Sequence, residues 1–181
     1  ALPAYNEYIG RLQRILQQGR PVVDIAVLYP IAGLQAAYHF GVGKPYEGGV
    51  IPDWADYMTV GEHLSLELRQ DFTYLHPETL DARCRIEHDT IRLEHPEIFQ
   101  DYRVLILPGS TTISAANLAK VKRFFDAGGK VIATTRLPDQ SAEFGKTDEV
   151  QAILRHIFGA AAMARAPEKP RYPQVAASSA W

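Results

Sequence analysis

Asp101-Tyr-Arg-Val-Leu-Ile-Leu-Pro-Gly-Ser110 is followed by Leu118, Val121, Phe124 and Phe125 at helical spacing, by Gly128-Gly129, and by Lys130-Val-Ile-Ala-Thr-Thr135. Two short apolar runs rich in β-branched residues thus flank an amphipathic helix, the pattern of a parallel β-α-β unit. In such units the loops at the carboxyl ends of the strands are where ligands and nucleophiles sit. Here those loops offer Ser110 on one side and Thr134, Thr135 and Arg136 on the other. They carry no recognisable catalytic set, since Ser110 lacks the Gly-x-Ser-x-Gly pattern of a nucleophile elbow.

Working outward, Val22-Val-Asp-Ile-Ala-Val-Leu-Tyr29 ends at Pro30 and reads as a strand buried on both faces of a parallel sheet. Before it, Tyr5, Tyr8, Ile9, Leu12, Ile15 and Leu16 recur at helical spacing and stop at Gly19 and Pro21. After it, residues 31–40 suit a short helix, and the glycines and prolines from Gly41 to Pro52 predict a long loop. Helical spacing resumes at Tyr57, Val60, Gly61, Leu64 and Leu68, and Asp71–Leu75 reads as the next strand. Cys84–Glu87 and Thr90–Leu93 around His88-Asp89 predict a hairpin. Thr111, Thr112 and Ser114 are candidate caps for the helix before Gly128. The last helix presents Val150, Ile153, Leu154, Ile157 and Phe158 on one face, with Thr147 as expected N-cap and Gly159 past its end. Four main strands alternating with helices predict an α/β fold, a flavodoxin-like three-layer sandwich with a mostly parallel sheet. The expected organisation is a leading helix at 1–20 packed on the domain, an α/β domain at 21–159, and a linker or C-terminal arm at 160–181 with Tyr172 and Trp181 as anchors.

A chain of 181 residues with 46% hydrophobic content suits one domain with a core of its own. The formal charge of −2, with acids and bases interspersed, supplies neither a basic stripe for nucleic acid nor a polybasic patch for a membrane. No run reaches the roughly 18 apolar residues of a spanning helix. The single Cys84 excludes an intrachain disulfide and a multi-cysteine zinc site, and leaves the compartment unknown. A start at Ala1 rather than Met is expected of a processed product or of a piece of a longer protein.

Tyr8-Ile-Gly-Arg-Leu-Gln-Arg-Ile-Leu-Gln-Gln-Gly-Arg-Pro-Val-Val-Asp-Ile-Ala-Val-Leu-Tyr-Pro30 resembles the segment that leaves the catalytic region of large bacterial glycoside hydrolases similar to the α-L-rhamnosidases of family 106. In that family the helix leads into a domain similar to class I glutamine amidotransferases. Asp71-Phe-Thr-Tyr-Leu-His-Pro-Glu-Thr-Leu80 and Val104-Leu-Ile-Leu-Pro-Gly109 resemble its later strands, and the likeness runs over residues 5–159. The resemblance implies a bacterial protein, periplasmic or secreted, in which this domain accompanies a catalytic domain. A similar accessory domain serves trimerisation in family 42 β-galactosidases.

An amidotransferase needs a cysteine on a glycine-flanked elbow, with a histidine and a glutamate later in the chain, because the thiolate must be exposed and activated. The matching stretch, Val131-Ile-Ala-Thr-Thr-Arg136, has neither the cysteine nor the glycines, and the only later histidine is His156. No catalytic residue, cofactor or metal site is therefore expected, and His63 with Glu67 reads as a chance pair on a helix face. Gly41-Val-Gly43-Lys44 lacks the phosphate-loop pattern.

The candidate ligand or interface residues are Tyr46, Asp53 and Trp54, beside Glu47 in the long loop, and Ser110, Thr135 and Arg136 at the strand ends. Trp54 serves equally as a core-closing ring, Ser110 as a loop or cap residue and Arg136 as half of an ion pair. The expected function is a structural or interdomain role beside the catalytic domain of a parent glycoside hydrolase, with homo-oligomerisation and carbohydrate contact open. The alternatives are a carbohydrate-binding module using the Trp54 loop, and a small hydrolase pairing Ser110 with His76 or another distant histidine.

Overall fold

The computed structural model describes residues 2–17, 20–39, 51–95, 99–163 and 176–177. In chain order it contains α1 (Leu2–Leu16), β1 (Ile25–Leu28), α2 (Ile31–Ala36), α3 (Tyr57–Glu62) continued by a π-helical turn (His63–Glu67), β2 (Phe72–Leu75), α4 (Pro77–Arg83), β3 (Cys84–Glu87) and β4 (Thr90–Leu93). There follow β5 (Gln100–Tyr102), β6 (Val104–Leu107), β7 (Thr112–Ile113), α5 (Ala115–Asp126), β8 (Lys130–Ala133), β9 (Gln140–Ser141), α6 (Thr147–Phe158), α7 (Ala160–Met163) and β10 (Ala176–Ala177).

The main sheet has the order β10-β8-β6-β1-β2. β2, β1, β6 and β8 are parallel, and β10 joins β8 antiparallel. Side chains alternate across this sheet, as the pleat requires. Ala26, Leu28, Leu75, Leu105, Leu107, Val131 and Ala133 enter a large core with Leu118, Val121 and Phe124 of α5 and Val150, Leu154 and Ile157 of α6. Val27 and Ile106 face the other way, onto Val60 and Leu64, with Ile25, Phe72, Val104 and Ile132 partly buried around them. Val27 stands in register with Ile106, and Ile106 with Ile132, so one apolar row crosses the sheet.

The Asp101–Ser110 stretch divides between two sheets. Gln100–Tyr102 pairs antiparallel with β4 in the small sheet β3-β4-β5, whereas Val104–Leu107 enters the main sheet. The pivot is Asp24, whose carbonyl accepts both the Arg103 N–H at 2.8 Å and the Val104 N–H at 3.1 Å. The hairpin around His88-Asp89 forms as read, with His88 at φ 52° in its turn.

Several local expectations are corrected. The helix predicted from Tyr57 to Leu68 changes to π geometry at His63, with Leu68 N–H donating to His63 O at 3.0 Å. Pro77–Arg83 is a helix the periodicity did not show, because it is short. Its start is fixed by Pro77 at the first position and by His76 Nδ1, which accepts the Glu78 N–H. Its carbonyl end is closed by Lys120, whose Nζ donates to the carbonyls of Leu80, Asp81 and Cys84 at 2.7–2.8 Å. Ser114, of the three candidate caps, accepts from Asn117 N–H. Thr147 is not the cap of α6: Lys146 holds that position, and the Thr147 hydroxyl accepts the Ser141 N–H instead. The leading helix forms, yet none of its residues is buried, so the expected packing on the domain is not seen among the described residues. The stretch at 160–181, expected to be a linker or C-terminal arm, contributes α7 and β10, while Tyr172 and Trp181 lie outside the described residues.

Ile106, 5% exposed, and the partly buried Ile132 share a row but not a depth. Ile106→Ala is expected to cost about 2–5 kcal/mol and Ile132→Ala about 1–2 kcal/mol, since the cavity left at a half-open site can relax. Denaturant midpoints of the two variants check both the size and the order.

Candidate functional site

β1 has later strands on both sides, β2 on one and β6 on the other. The chain therefore leaves the sheet in opposite directions at this pair, and a crevice opens at the carboxyl ends of β1 and β6, the usual ligand position in open parallel sheets. A cavity lies there, between Leu28, Tyr29 and Pro30 after β1 and Leu107, Pro108 and Ser110 after β6, roofed by Pro77, Asn117 and Pro138. Its volume is about 30 Å³. That is room for one or two waters, against roughly 300–1,000 Å³ for a ligand pocket.

The crevice is narrow because backbone and side chains fill it. Gly33 of α2 sits so close to Ser110 that a Cβ there would collide with Ser110 Oγ, and would lie 3.4 Å from the edge of the Trp54 ring. Gly109 makes the same concession to the backbone carbonyl of Trp54. Ser110 is buried, and its hydroxyl donates to Thr112 O at 2.8 Å and accepts the Thr112 N–H at 3.3 Å, a local turn. Its N–H donates to Arg136 O at 3.2 Å, which joins the ends of β6 and β8.

The residue that organises this end is Asp56, which sequence reading missed. It precedes α3 and is buried, yet its side chain makes no cap bond to that helix. Instead Oδ1 accepts the Gly109 N–H at 2.7 Å, and Oδ2 accepts the hydroxyl proton of Thr135. One carboxyl group thus ties the start of α3 to the loops after β6 and β8. Thr135 is held at φ 22°, an unusual conformation for a β-branched residue. The neighbouring Thr134 Oγ1 is buried without a hydrogen-bond partner among the described residues.

The structure therefore brings Trp54, Ser110 and Thr135 together around Asp56. Arg136 is adjacent through its backbone, but its guanidinium pairs with Asp139 at 2.6 Å. Asp53 is exposed on the approach to Trp54, and Tyr46 and Glu47 lie outside the described residues. His76 is engaged as the cap of α4 and stacks on Tyr29, with ring centroids 6.4 Å apart. It follows β2, whereas Ser110 follows β6. β1 lies between these two strands. Cys84 is buried in β3, and burial pushes its thiol up to about 11, away from the thiolate a nucleophile needs. His63 and Glu67 pair with each other at 3.0 Å.

At the rim of the cavity Ser114 caps α5 and donates to Glu143 at 2.6 Å. Glu143 also accepts from Ala115 N–H at 2.8 Å and Ser141 Oγ at 2.7 Å. Partial burial works against its ionised form, yet these donors at a helix start prevail and hold its carboxyl at about 2. Larger surface hollows, of about 520 and 440 Å³, run along the small sheet. Of their charged lining, Arg92 pairs with Asp101 and Glu87, and Glu94 with Arg85.

Protein-family models and curated proteins give no match to this sequence. Among solved structures, a rhamnosidase from Novosphingobium sp. PP1Y is similar over 93% of this chain, with a TM-score of 0.54 and 17% sequence identity. The matched region is 14% of that longer chain, and the likeness is one of fold.

Asp56→Ala leaves the Gly109 N–H without its acceptor and is expected to destabilise by about 2–3 kcal/mol, whereas Asp56→Asn keeps an acceptor and costs less than half as much. Chemical denaturation of the two variants checks this. The Glu143 carboxyl is lower in the folded chain, about 2, than its ordinary value of 4.5. The folded state therefore binds fewer protons, so the stabilisation is complete above pH 4.5 and is lost as pH falls toward 2. The melting-temperature gap between the wild type and Glu143→Gln should close over that interval.

Proposed function

We propose that this chain is a non-catalytic, class I glutamine amidotransferase-like domain of flavodoxin-like type, belonging to a multidomain glycoside hydrolase of the α-L-rhamnosidase kind and serving a structural, interdomain role. The observation that carries this reading is the filled crevice. At the one place where this topology offers a site, about 30 Å³ remains, and of its polar lining the Ser110 hydroxyl is taken by Thr112, Ser114 by Glu143 and the Asn117 amide by the Pro77 carbonyl. The parallel strands stand in the spatial order second, first, third, fourth, which supports the flavodoxin-like assignment. The shared fold with a domain-sized part of a rhamnosidase supports the parentage. Cys84, buried and with its thiol held protonated, supports the absence of amidotransferase chemistry.

The separation of Ser110 from His76 by β1 weighs against a serine hydrolase, and the Trp54 ring, turned toward Gly33, weighs against a sugar platform at that loop. The test has two arms. The chain should release no ammonia from glutamine and no aglycone from an aryl α-L-rhamnoside above a protein-free blank. Turnover abolished by Ser110→Ala, Thr135→Val or Cys84→Ala overturns the proposal. The coding sequence around this domain should continue into a catalytic module bearing the paired carboxylates of glycoside hydrolysis, and an open reading frame holding this domain alone would overturn the parentage.

A further inference from the structure

The loop between β9 and α6 is fastened at almost every residue. Ser141 stands in register with Ile113, and the Ala142 N–H donates to Ile113 O at 3.0 Å. The Glu143 carboxyl spans the start of α5, taking Ser114 Oγ and the Ala115 N–H, and it also takes Ser141 Oγ. The Glu143 N–H returns to Ser141 Oγ at 3.1 Å, and the Lys146 N–H to Glu143 O at 3.3 Å. Gly145, at φ 73°, makes a turn that a side chain would strain. Lys146 itself pairs with Glu149 at 2.8 Å.

Phe144, in the middle of this loop, is 106% exposed, so no described residue shields its ring. From Gln100 to Phe158 it is the one large apolar side chain left exposed. A lone apolar group on a surface is ordinary. What sets Phe144 apart is its pedestal. The bonds of Ser141, Glu143 and Lys146 fix the backbone on both sides of it, so a partner that takes the ring has little left to order. The ring suits an apolar socket better than a sugar, which needs free polar groups converging beside the ring. The polar side chains on either side, Ser141, Glu143 and Lys146, already have partners.

The size of the contact decides what carries the socket. A phenylalanine buries at most about 150–250 Å², against about 1,200–2,000 Å² for a stable complex of free partners. In an equilibrium constant the ring contributes roughly 10- to 150-fold, whereas a micromolar complex requires roughly a million-fold. No other large apolar group is exposed on the flanking elements β7, α5, β9 and α6, so Phe144 is too small a contact to hold a free protein or a second copy. It is enough to seat a domain that the chain already keeps at a high effective concentration.

We propose that Phe144 is the anchor of an interdomain contact, inserted into an apolar socket on another domain of the same polypeptide. The inference rests on the reading of this chain as one domain of a longer protein, and it adds the surface by which that domain is held. The experiment uses the full-length protein as its gene encodes it, with photoreactive p-benzoylphenylalanine in place of Phe144 and, as control, in place of the exposed Gln70. Irradiation should link position 144, and not position 70, to an apolar segment of the same polypeptide beyond the 181 residues of this sequence. Phe144→Ala should then speed amide exchange in the linked segment by roughly 10- to 150-fold. Phe144→Leu should restore most of the protection, with exchange in α5 and α6 the same in all three proteins. A link inside the 181 residues overturns the proposal, because the ring is then covered by its own domain. So does a link between molecules, no link above the control, or exchange that Phe144→Ala leaves unchanged. A coding sequence that ends with this domain removes the parentage and this contact together, whereas a longer protein without the link removes the contact alone.

Discussion

The position of β1 between two later strands governs the carboxyl edge of this molecule. Because β2 and β6 both follow it in the chain, connections must diverge there, and something must occupy the space between them. A ligand occupies it in many parallel folds. Here Gly33 and Gly109 admit Ser110 and the Trp54 backbone, and the Asp56 carboxyl joins Gly109 to Thr135. A buried carboxyl is tolerable only when its oxygens are satisfied. Those bonds hold the start of α3, and Val60 and Leu64 farther along the same helical segment pack on Val27 and Ile106.

Much of the architecture could be read from residues, and the reasons for the exceptions are physical. The runs at Ile25–Leu28, Val104–Leu107 and Lys130–Ala133 were legible because a strand buried on both faces must be apolar at nearly every position. The Cys84–Leu93 hairpin was legible from two short runs around a two-residue turn. α4 was not, since seven residues give too few turns for a period to show, and its stability comes from Lys120, distant in sequence. The split of Asp101–Leu107 between two sheets depends on the Asp24 carbonyl, and a bond to backbone leaves no trace in residue type. Thr147 was misread because its hydroxyl has a tertiary partner in Ser141 that outweighs its local preference for a cap.

The candidate site shows the same division. Ser110, Thr135 and Arg136 were found from their place after apolar strands, and the structure does set them at one edge. Asp56 was invisible, because an aspartate ahead of a helix reads as a cap and nothing nearby marks a partner fifty residues on. The signal that existed was Gly109 beside Ser110, a residue type that allows another chain segment to approach closely.

Thr135 shows why geometry must be assigned to a partner before it is assigned to chemistry. A β-branched residue at positive φ, at the carboxyl end of a parallel strand, is the kind of strained position that marks nucleophiles. Strain persists only where the surroundings over-determine it, and in this chain the surroundings can be named. The Thr135 hydroxyl donates to Asp56, and the loop that begins at Thr135 is joined to Ser110 through the Arg136 carbonyl. A nucleophilic hydroxyl would need a base that is free to take its proton and a space for the reacting atom. Asp56 is instead shared with the Gly109 N–H, and the space beside Ser110 admits little more than water. The strained φ of Thr135 thus coincides with the bond that joins this loop to Asp56 and, through it, to Gly109.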